Sequence, residues 1–323
     1  MCTRVLWNTN DIAVLTGRSM DWPESTEPLI VGFPRGQKRD GGLMLSEVVV
    51  PDNPLRWTST YANLATTVYG IGTVDGLNER GVSVHGLYLK STDVGPRNPD
   101  LPGLHTGLWA QYVLDQAATV ADAVALMDAV QLVMVSAHGF EATLHLAVED
   151  ADGDSAIMEF ANGELVVHHG REFTLMTNDP TYEEQLELLA AQDFSHPDSS
   201  LALPGNVNAV DRFQRAAYYS ALLPKPISQR QAVAGVMAIM RNVSVPFGAP
   251  YAEFGVYNTE YRSVSDLTNR TYFFELTTSP STIWVQLDAL DLTEGAPVTA
   301  IDPYDESLTG NVSNEFAPRQ IGF

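Results

Sequence analysis

Cysteine is almost absent. Cys2 is the only one in 323 residues, so an internal disulfide is excluded and the redox compartment stays open. Long apolar runs are missing too. No stretch approaches the ~20 residues of a membrane span. The first twenty residues lack a basic segment followed by an apolar core, so no secretory signal is expected within the chain as it stands. Positive charge is scarce: 18 Lys and Arg stand against 40 Asp and Glu, for a net charge of −22. Such a surface repels phosphate backbones and anionic headgroups, which argues against nucleic-acid and membrane partners. It reads as a solubility or salt-adaptation device.

Repeats and low-complexity tracts are absent, as are the common cofactor signatures. "YGIGTVDG" departs from the dinucleotide fingerprint, and there is no phosphate loop. "EDADGDS" spaces Asp150, Asp152 and Asp154 like the start of a calcium loop, but the sixth position is not glycine and the twelfth is Ala161. It reads as a turn between strands. His85, His105, His138, His145 and His196 fall into no zinc-ligand spacing, and adjacent His168 and His169 would point to opposite faces of a strand. No metal and no cofactor are expected.

What is present is ordinary globular material, 45% hydrophobic and 18% charged, long enough for a sizeable core. Alternation and β-rich composition predict strands at Val5–Trp7, Ile12–Thr16, Leu64–Tyr69, Val82–Leu89, Thr143–Val148, Ser155–Phe160, Glu164–His169, Phe173–Thr177, Thr271–Thr277 and Thr282–Leu287. Asn162-Gly163 marks a tight hairpin, and "VDGLNERGVSV" reads as strand, turn, strand. Helical periodicity covers Gly107–Val130, broken near Thr119, and then Thr181–Gln192, Ala209–Leu223 and Ser228–Val243, with Thr181 and Ser228 as caps. Gly95–Thr106, Phe194–Asn208 and the segment after Glu294 read as loops. This order predicts an α+β fold with helices covering antiparallel sheets.

The lone thiol has a chemical reason for its position. Removal of Met1 gives Cys2 a free α-amine with a reference pKa of about 7.7–8.0. That amine can serve as general base for its own side chain, which no other position in a chain allows. Downstream, "TGRSMDW" sets Arg18 and Asp21 beside Trp22. An arginine near the thiol favours thiolate, and a carboxylate near the amine can hold one of its protons.

"MCTR", "RSMDW", "MTNDPTYEEQ" and "DRFQRAAYYS" together resemble, in order and spacing from Cys2 to Trp284, the choloylglycine hydrolases. These are N-terminal-nucleophile hydrolases that comprise penicillin V acylases and bile salt hydrolases. The likeness is greatest to the Gram-negative penicillin V acylases, some of which also cleave acyl-homoserine lactones. The resemblance implies a four-layer αββα sandwich and one domain over residues 2–323 with Met1 removed. It also implies a small-molecule amide substrate, a homotetramer, and a periplasmic location if a leader preceded Cys2, cytoplasmic otherwise. By position it assigns Cys2 as nucleophile, Arg18 and Asp21 as the residues that tune it, and Arg212 as a second active-site arginine. Asn178 is assigned as an oxyanion donor through its side-chain amide. Tyr88 falls where bile salt hydrolases usually carry Asn. Its backbone N–H would be the second oxyanion donor, and its ring, with Trp22, would line an acyl pocket. The aromatic there favours a flat acyl group over a steroid.

Read without the resemblance, Asn178-Asp179-Pro180 is a turn into a helix, Arg212 an exposed helical charge and Tyr88 a core strand aromatic. Four activities fit the chain. The leading one is an acylase for aryloxyacetyl or fatty-acyl amides. The others are a bile salt hydrolase, a catalytically silent binding relative, and an acyltransferase using an acceptor other than water.

Overall fold

The computed structural model describes residues 2–251 and 255–323. Fourteen of its strands build the fold. In chain order they are β1 (Cys2–Trp7), β2 (Leu15–Trp22), β3 (Ile30–Phe33), β4 (Asn63–Val68), β5 (Gly72–Asn78), β6 (Ser83–Tyr88) and β7 (Leu144–Glu149). They continue with β8 (Ser155–Ala161), β9 (Glu164–His169), β10 (Leu175–Met176), β11 (Val256–Asp266), β12 (Thr271–Leu276), β13 (Thr282–Gln286) and β14 (Thr299–Ile301). One sheet runs β10-β1-β2-β11-β12-β13, ending on Gly310–Asn311. The other runs β9-β8-β7-β6-β5-β4-β3-β14, ending on Ala317–Pro318.

The helices α1 (Trp109–Gln116) and α2 (Val120–Leu126) cover the second sheet. The helices α4 (Ala209–Ala221) and α5 (Gln229–Asn242) cover the first, and α3 (Tyr182–Ala190) packs on α4. The result is the αββα sandwich. Apolar clusters fill its layers: Leu114 of α1 is in one with Val148 and Met158 of the second sheet, and Val236 and Met240 of α5 are in another with Val5 of β1.

Local chemistry explains the element ends. Thr119 caps α2 by accepting the Asp122 N–H at 3.1 Å, which is why the periodic stretch breaks there. Ser228 caps α5 through the Gln231 N–H at 3.2 Å. Asn162 and Gly163 both take positive φ, as a two-residue turn between β8 and β9 requires. Asp150 accepts the Asp152 and Asp154 N–H groups at 3.1 and 3.2 Å, so "EDADGDS" is the turn from β7 to β8.

Three points differ from expectation. The strand predicted at Ile12–Thr16 is the later Leu15–Trp22, and the eleven-residue β11 was not foreseen. Both carry buried polar residues on both faces: Arg18, Ser19 and Asp21 in one, Thr259, Glu260, Arg262 and Ser263 in the other. Polarity therefore does not alternate with burial, and the usual strand signal fails. The segment after Glu294 is not all loop, because β14 pairs with β3.

Candidate active site

The pairing of β1 assembles the site from both sides. β1 runs antiparallel to β2 with Cys2 opposite Met20 and Arg4 opposite Arg18. On its other edge Arg4 faces Met176, and two further residues along the same register bring Asn178 opposite Cys2. Alternation then sorts the side chains. Cys2, Arg18, Met20 and Trp22 share the face toward the second sheet, whereas Thr3, Ser19 and Asp21 face α4. A bulge opposite Met20 and Asp21 shifts the register of β11 there, a common device beside reactive centres.

Cys2 is 2% exposed. Its sulfur lies 3.3 Å from Arg18 Nη2, and its backbone N–H donates to Asn178 Oδ1 at 2.6 Å. Arg18 is fully buried and also donates to the Tyr261 hydroxyl at 3.0 Å and the Gly86 carbonyl at 3.2 Å. Burial opposes its charge, but Tyr261, Cys2 and Asp75 outweigh burial and hold its pKa above the usual value. Arg18 is therefore a permanent cation beside the thiol.

On the opposite face, Arg212 of α4 ties the strand ends together. Nη1 donates to the Cys2 carbonyl at 2.6 Å and to Thr3 Oγ1 at 2.5 Å, and it lies 3.4 Å from Asp21 Oδ2. Nη2 donates to Asn178 Oδ1 at 3.0 Å, and Nε to the Val207 carbonyl at 2.9 Å. It is fully buried, not an exposed helical charge. Asp21 also accepts from Thr259 Oγ1 at 2.5 Å and Ser19 Oγ at 3.2 Å.

Asn178 Nδ2 donates to the Tyr88 carbonyl at 2.6 Å, which joins the two sheets at the site. The Asn178 segment is braced from behind. His145 bridges Glu159 Oε1 and the Thr177 carbonyl, each at 2.7 Å, and Gln185 Nε2 donates to the Asn178 carbonyl at 3.0 Å.

A cleft holding about 760 Å3 of space, partly open to solvent, leads to Cys2. Its walls are mostly apolar and include Trp22, Tyr69, Ile71, Leu87, Tyr88 and Phe140. Trp22 organises them: its ring centroid is 5.7 Å from that of Tyr88 and 5.1 Å from that of Phe140, and its Nε1 donates to the Tyr69 hydroxyl at 2.9 Å. The Ser136–Glu141 hairpin turns at His138 and Gly139, both at positive φ. It roofs the cleft with Phe140, while His138 stacks on Tyr69 at 4.0 Å. Thr106, next to the loop before α1, reaches the cleft wall, whereas Phe194–Asn208 does not line it.

The structure thus brings all seven candidate residues, Cys2, Arg18, Asp21, Trp22, Tyr88, Asn178 and Arg212, to one centre. Sequence reasoning missed Thr3, Thr259, Tyr261, Tyr69 and Phe140. Thr3 was findable, because it adjoins the thiol. The others come from distant strands and loops with no local signature. Among the described residues no group of three His, Cys, Asp or Glu is placed to hold a metal, and no helix is long and apolar enough to cross a membrane.

The sequence profile of the linear amide C–N hydrolases, choloylglycine hydrolase family, matches residues 2–305. A penicillin V acylase of Pectobacterium atrosepticum is 34% identical, over 99% of this chain and 90% of that one. The solved penicillin V acylase of Agrobacterium tumefaciens superposes with a TM-score of 0.88 at 35% identity, covering 99% and 98% of the two chains. A bile salt hydrolase/transferase of Clostridium perfringens is 25% identical over 96% of this chain and 95% of its own.

Proposed function

The chain belongs to the choloylglycine hydrolase family of linear amide C–N hydrolases, and we propose that it is an acylase with an N-terminal cysteine nucleophile. Its substrates on this reading are penicillin V-type aryloxyacetyl amides, N-acyl-homoserine lactones, or both. One observation carries it: the Cys2 sulfur sits 3.3 Å from the buried Arg18 at the end of an aromatic cleft, while its own nitrogen is held on Asn178 at 2.6 Å.

The mechanism follows from that arrangement. With Met1 gone, the Cys2 nitrogen is an amine, and it takes the thiol proton. The thiolate attacks the amide carbonyl, forming a C–S bond. The resulting oxyanion is met by the second N–H of Asn178 Nδ2 and by the Tyr88 backbone N–H. Two donors aimed at developing charge are the largest usual contribution to such a step. The ammonium protonates the leaving nitrogen, the C–N bond breaks and a thioester remains. Water then attacks, with the amine again taking a proton, and collapse releases the acid and the thiol. Asp21, Thr3 and Arg212 hold the strand end so that amine, thiol and acceptor keep one geometry.

The acyl group is selected by Trp22, Tyr69, Tyr88 and Phe140, whose faces suit a flat aryloxy ring or an alkyl chain. The mature chain on this reading is a single domain beginning at Cys2, and it assembles as a homotetramer. Parallel assays on penicillin V, acyl-homoserine lactones of several chain lengths and glycocholate test the substrate. Preferred turnover of glycocholate would instead make it a bile salt hydrolase. Intact mass tests the nucleophile: full activity with Met1 retained sinks the mechanism. Light scattering tests the assembly, and a monomer refutes the tetramer.

A further inference from the structure

Arg4 and Arg18 stand directly opposite each other on β1 and β2, and both are fully buried. Like charges so placed repel and need anions between them. The facing sheet supplies Asp75 from β5 and Glu149 from β7, with His85 of β6 between the two. His85 Nδ1 lies 2.8 Å from Asp75 Oδ1, and Nε2 lies 2.6 Å from Glu149 Oε1. Glu149 Oε2 accepts from Arg4 Nη2 at 2.6 Å.

Other groups close around this row. Tyr272 of β12 donates to Asp75 Oδ2 at 2.7 Å, and the hydroxyl of Ser263, opposite Arg18 on β11, donates to the same oxygen. Thr16 of β2 and Ser83 of β6 place hydroxyls 3.2 and 3.3 Å from His85 Nε2. Ser155 of β8 accepts from Arg4 at 2.9 Å, and Tyr261 of β11 accepts from Arg18. None of Asp75, His85, Glu149 or Arg4 has a part in the reaction above.

The charges on this row do not balance without the thiol. Burial opposes the charge on His85, yet Glu149 and Asp75 overcome it and raise its pKa. Burial likewise works against Asp75 and Glu149. His85 and Arg18 bring Asp75 down to about 2, and Arg4 and His85 do the same for Glu149. Tyr261 and Tyr272 are pushed up by burial and stay neutral. Asp21 and Arg212 pair on the opposite face of the sheet. Three cations, Arg4, Arg18 and His85, therefore share two anions. Arg18 also touches the Cys2 sulfur on this face, at 3.3 Å.

We propose that protonated His85 is a positioning residue for the nucleophile: by neutralising Asp75 it leaves the charge of Arg18 to hold the Cys2 sulfur as thiolate. The proposal rests on the reading of Cys2 as nucleophile. It assigns the buried row a reason beyond stability.

The test reads the thiol directly, since Cys2 is the only cysteine. Alkylation by iodoacetamide is followed by intact mass across pH in the wild type, His85→Gln, Asp75→Asn and the double variant. The wild-type midpoint is the reference for the variants. His85→Gln should move it up by about one unit or more, since Asp75 then draws on Arg18. Asp75→Asn should move it down, and the double variant should return close to wild type. A His85→Gln variant that melts earlier but keeps the wild-type midpoint overturns the proposal and leaves the nucleophile reading intact. Near-normal amide turnover by a Cys2→Ser variant sinks the nucleophile reading itself. If His85→Gln does not fold, Asp75→Asn decides: a downward shift supports the coupling, and an unmoved midpoint refutes it.

Discussion

Arg212 Nη2 and the Cys2 nitrogen share one acceptor, Asn178 Oδ1, at 3.0 and 2.6 Å. This shared oxygen fixes the amide plane of Asn178, and with it the direction in which Nδ2 points. On the proposed mechanism, the residue that meets the oxyanion is therefore aimed by the residue that carries the nucleophile.

Asn178→Ala removes that donor together with the acceptor that the Cys2 nitrogen and Arg212 share. A loss of about 10²–10³ in kcat, with smaller change in KM, is expected from steady-state hydrolysis. Unchanged kcat would remove Asn178 from the oxyanion site.

Arg212→Ala removes the buried cation that pairs with the Asp21 carboxylate. Breaking a buried ion pair from one side costs about 3–5 kcal/mol, so urea unfolding should show a loss of that order. A loss below ~1 kcal/mol would fit the exposed helical charge that the sequence suggests.

Trp22→Ala opens the contact among Tyr88, Phe140 and Tyr69. Removing one such aromatic should raise KM for aryloxyacetyl substrates by roughly 5–30-fold, the worth of about 1–2 kcal/mol. A short acetyl amide should be affected much less. Equal losses on both would show that Trp22 positions the nucleophile rather than the acyl group.

Gly72 in β5 has no room for a side chain, because a Cβ there would lie 1.9 Å from the Gly107 carbonyl oxygen. Gly72→Ala must displace the Thr106–Leu108 turn at the cleft wall. Destabilisation of about 1–3 kcal/mol is expected from thermal or urea melts, with weakened substrate binding. An unchanged melt and KM would contradict the packing described.

His105 is buried and donates through Nε2 to the Leu43 carbonyl at 3.0 Å. Among the described residues its Nδ1 has no hydrogen-bond partner, so a second proton there would be stranded. Burial lowers its pKa from 6.5 to about 4. The unfolded chain then binds the proton at higher pH than the fold does. The stability due to neutral His105 is whole above about pH 6.5 and is lost as pH falls toward 4. His105→Gln should flatten the dependence of Tm on pH in that window. A slope identical to wild type would place the acid sensitivity elsewhere.

The sequence already contained the helices with the break near Thr119 and the caps at Thr181 and Ser228, most strands, and the Asn162-Gly163 turn. It also contained the reason for Cys2, since only an N-terminal thiol brings its own base. These follow from local chemistry: periodicity, capping and the α-amine act over a few residues. The tertiary structure decided where Arg18, Asp21 and Arg212 lie. Without the resemblance Arg212 reads as an exposed helical charge, yet it is buried with Arg18 and Asp21, and β2 and β11 escaped recognition because polar groups fill both of their faces. It also decided the cleft, whose Tyr69 and Phe140 come from separate loops, and the buried row from Arg4 to Asp75. Those contacts join strands far apart in sequence, and only the stacking of two sheets brings their side chains within hydrogen-bond reach.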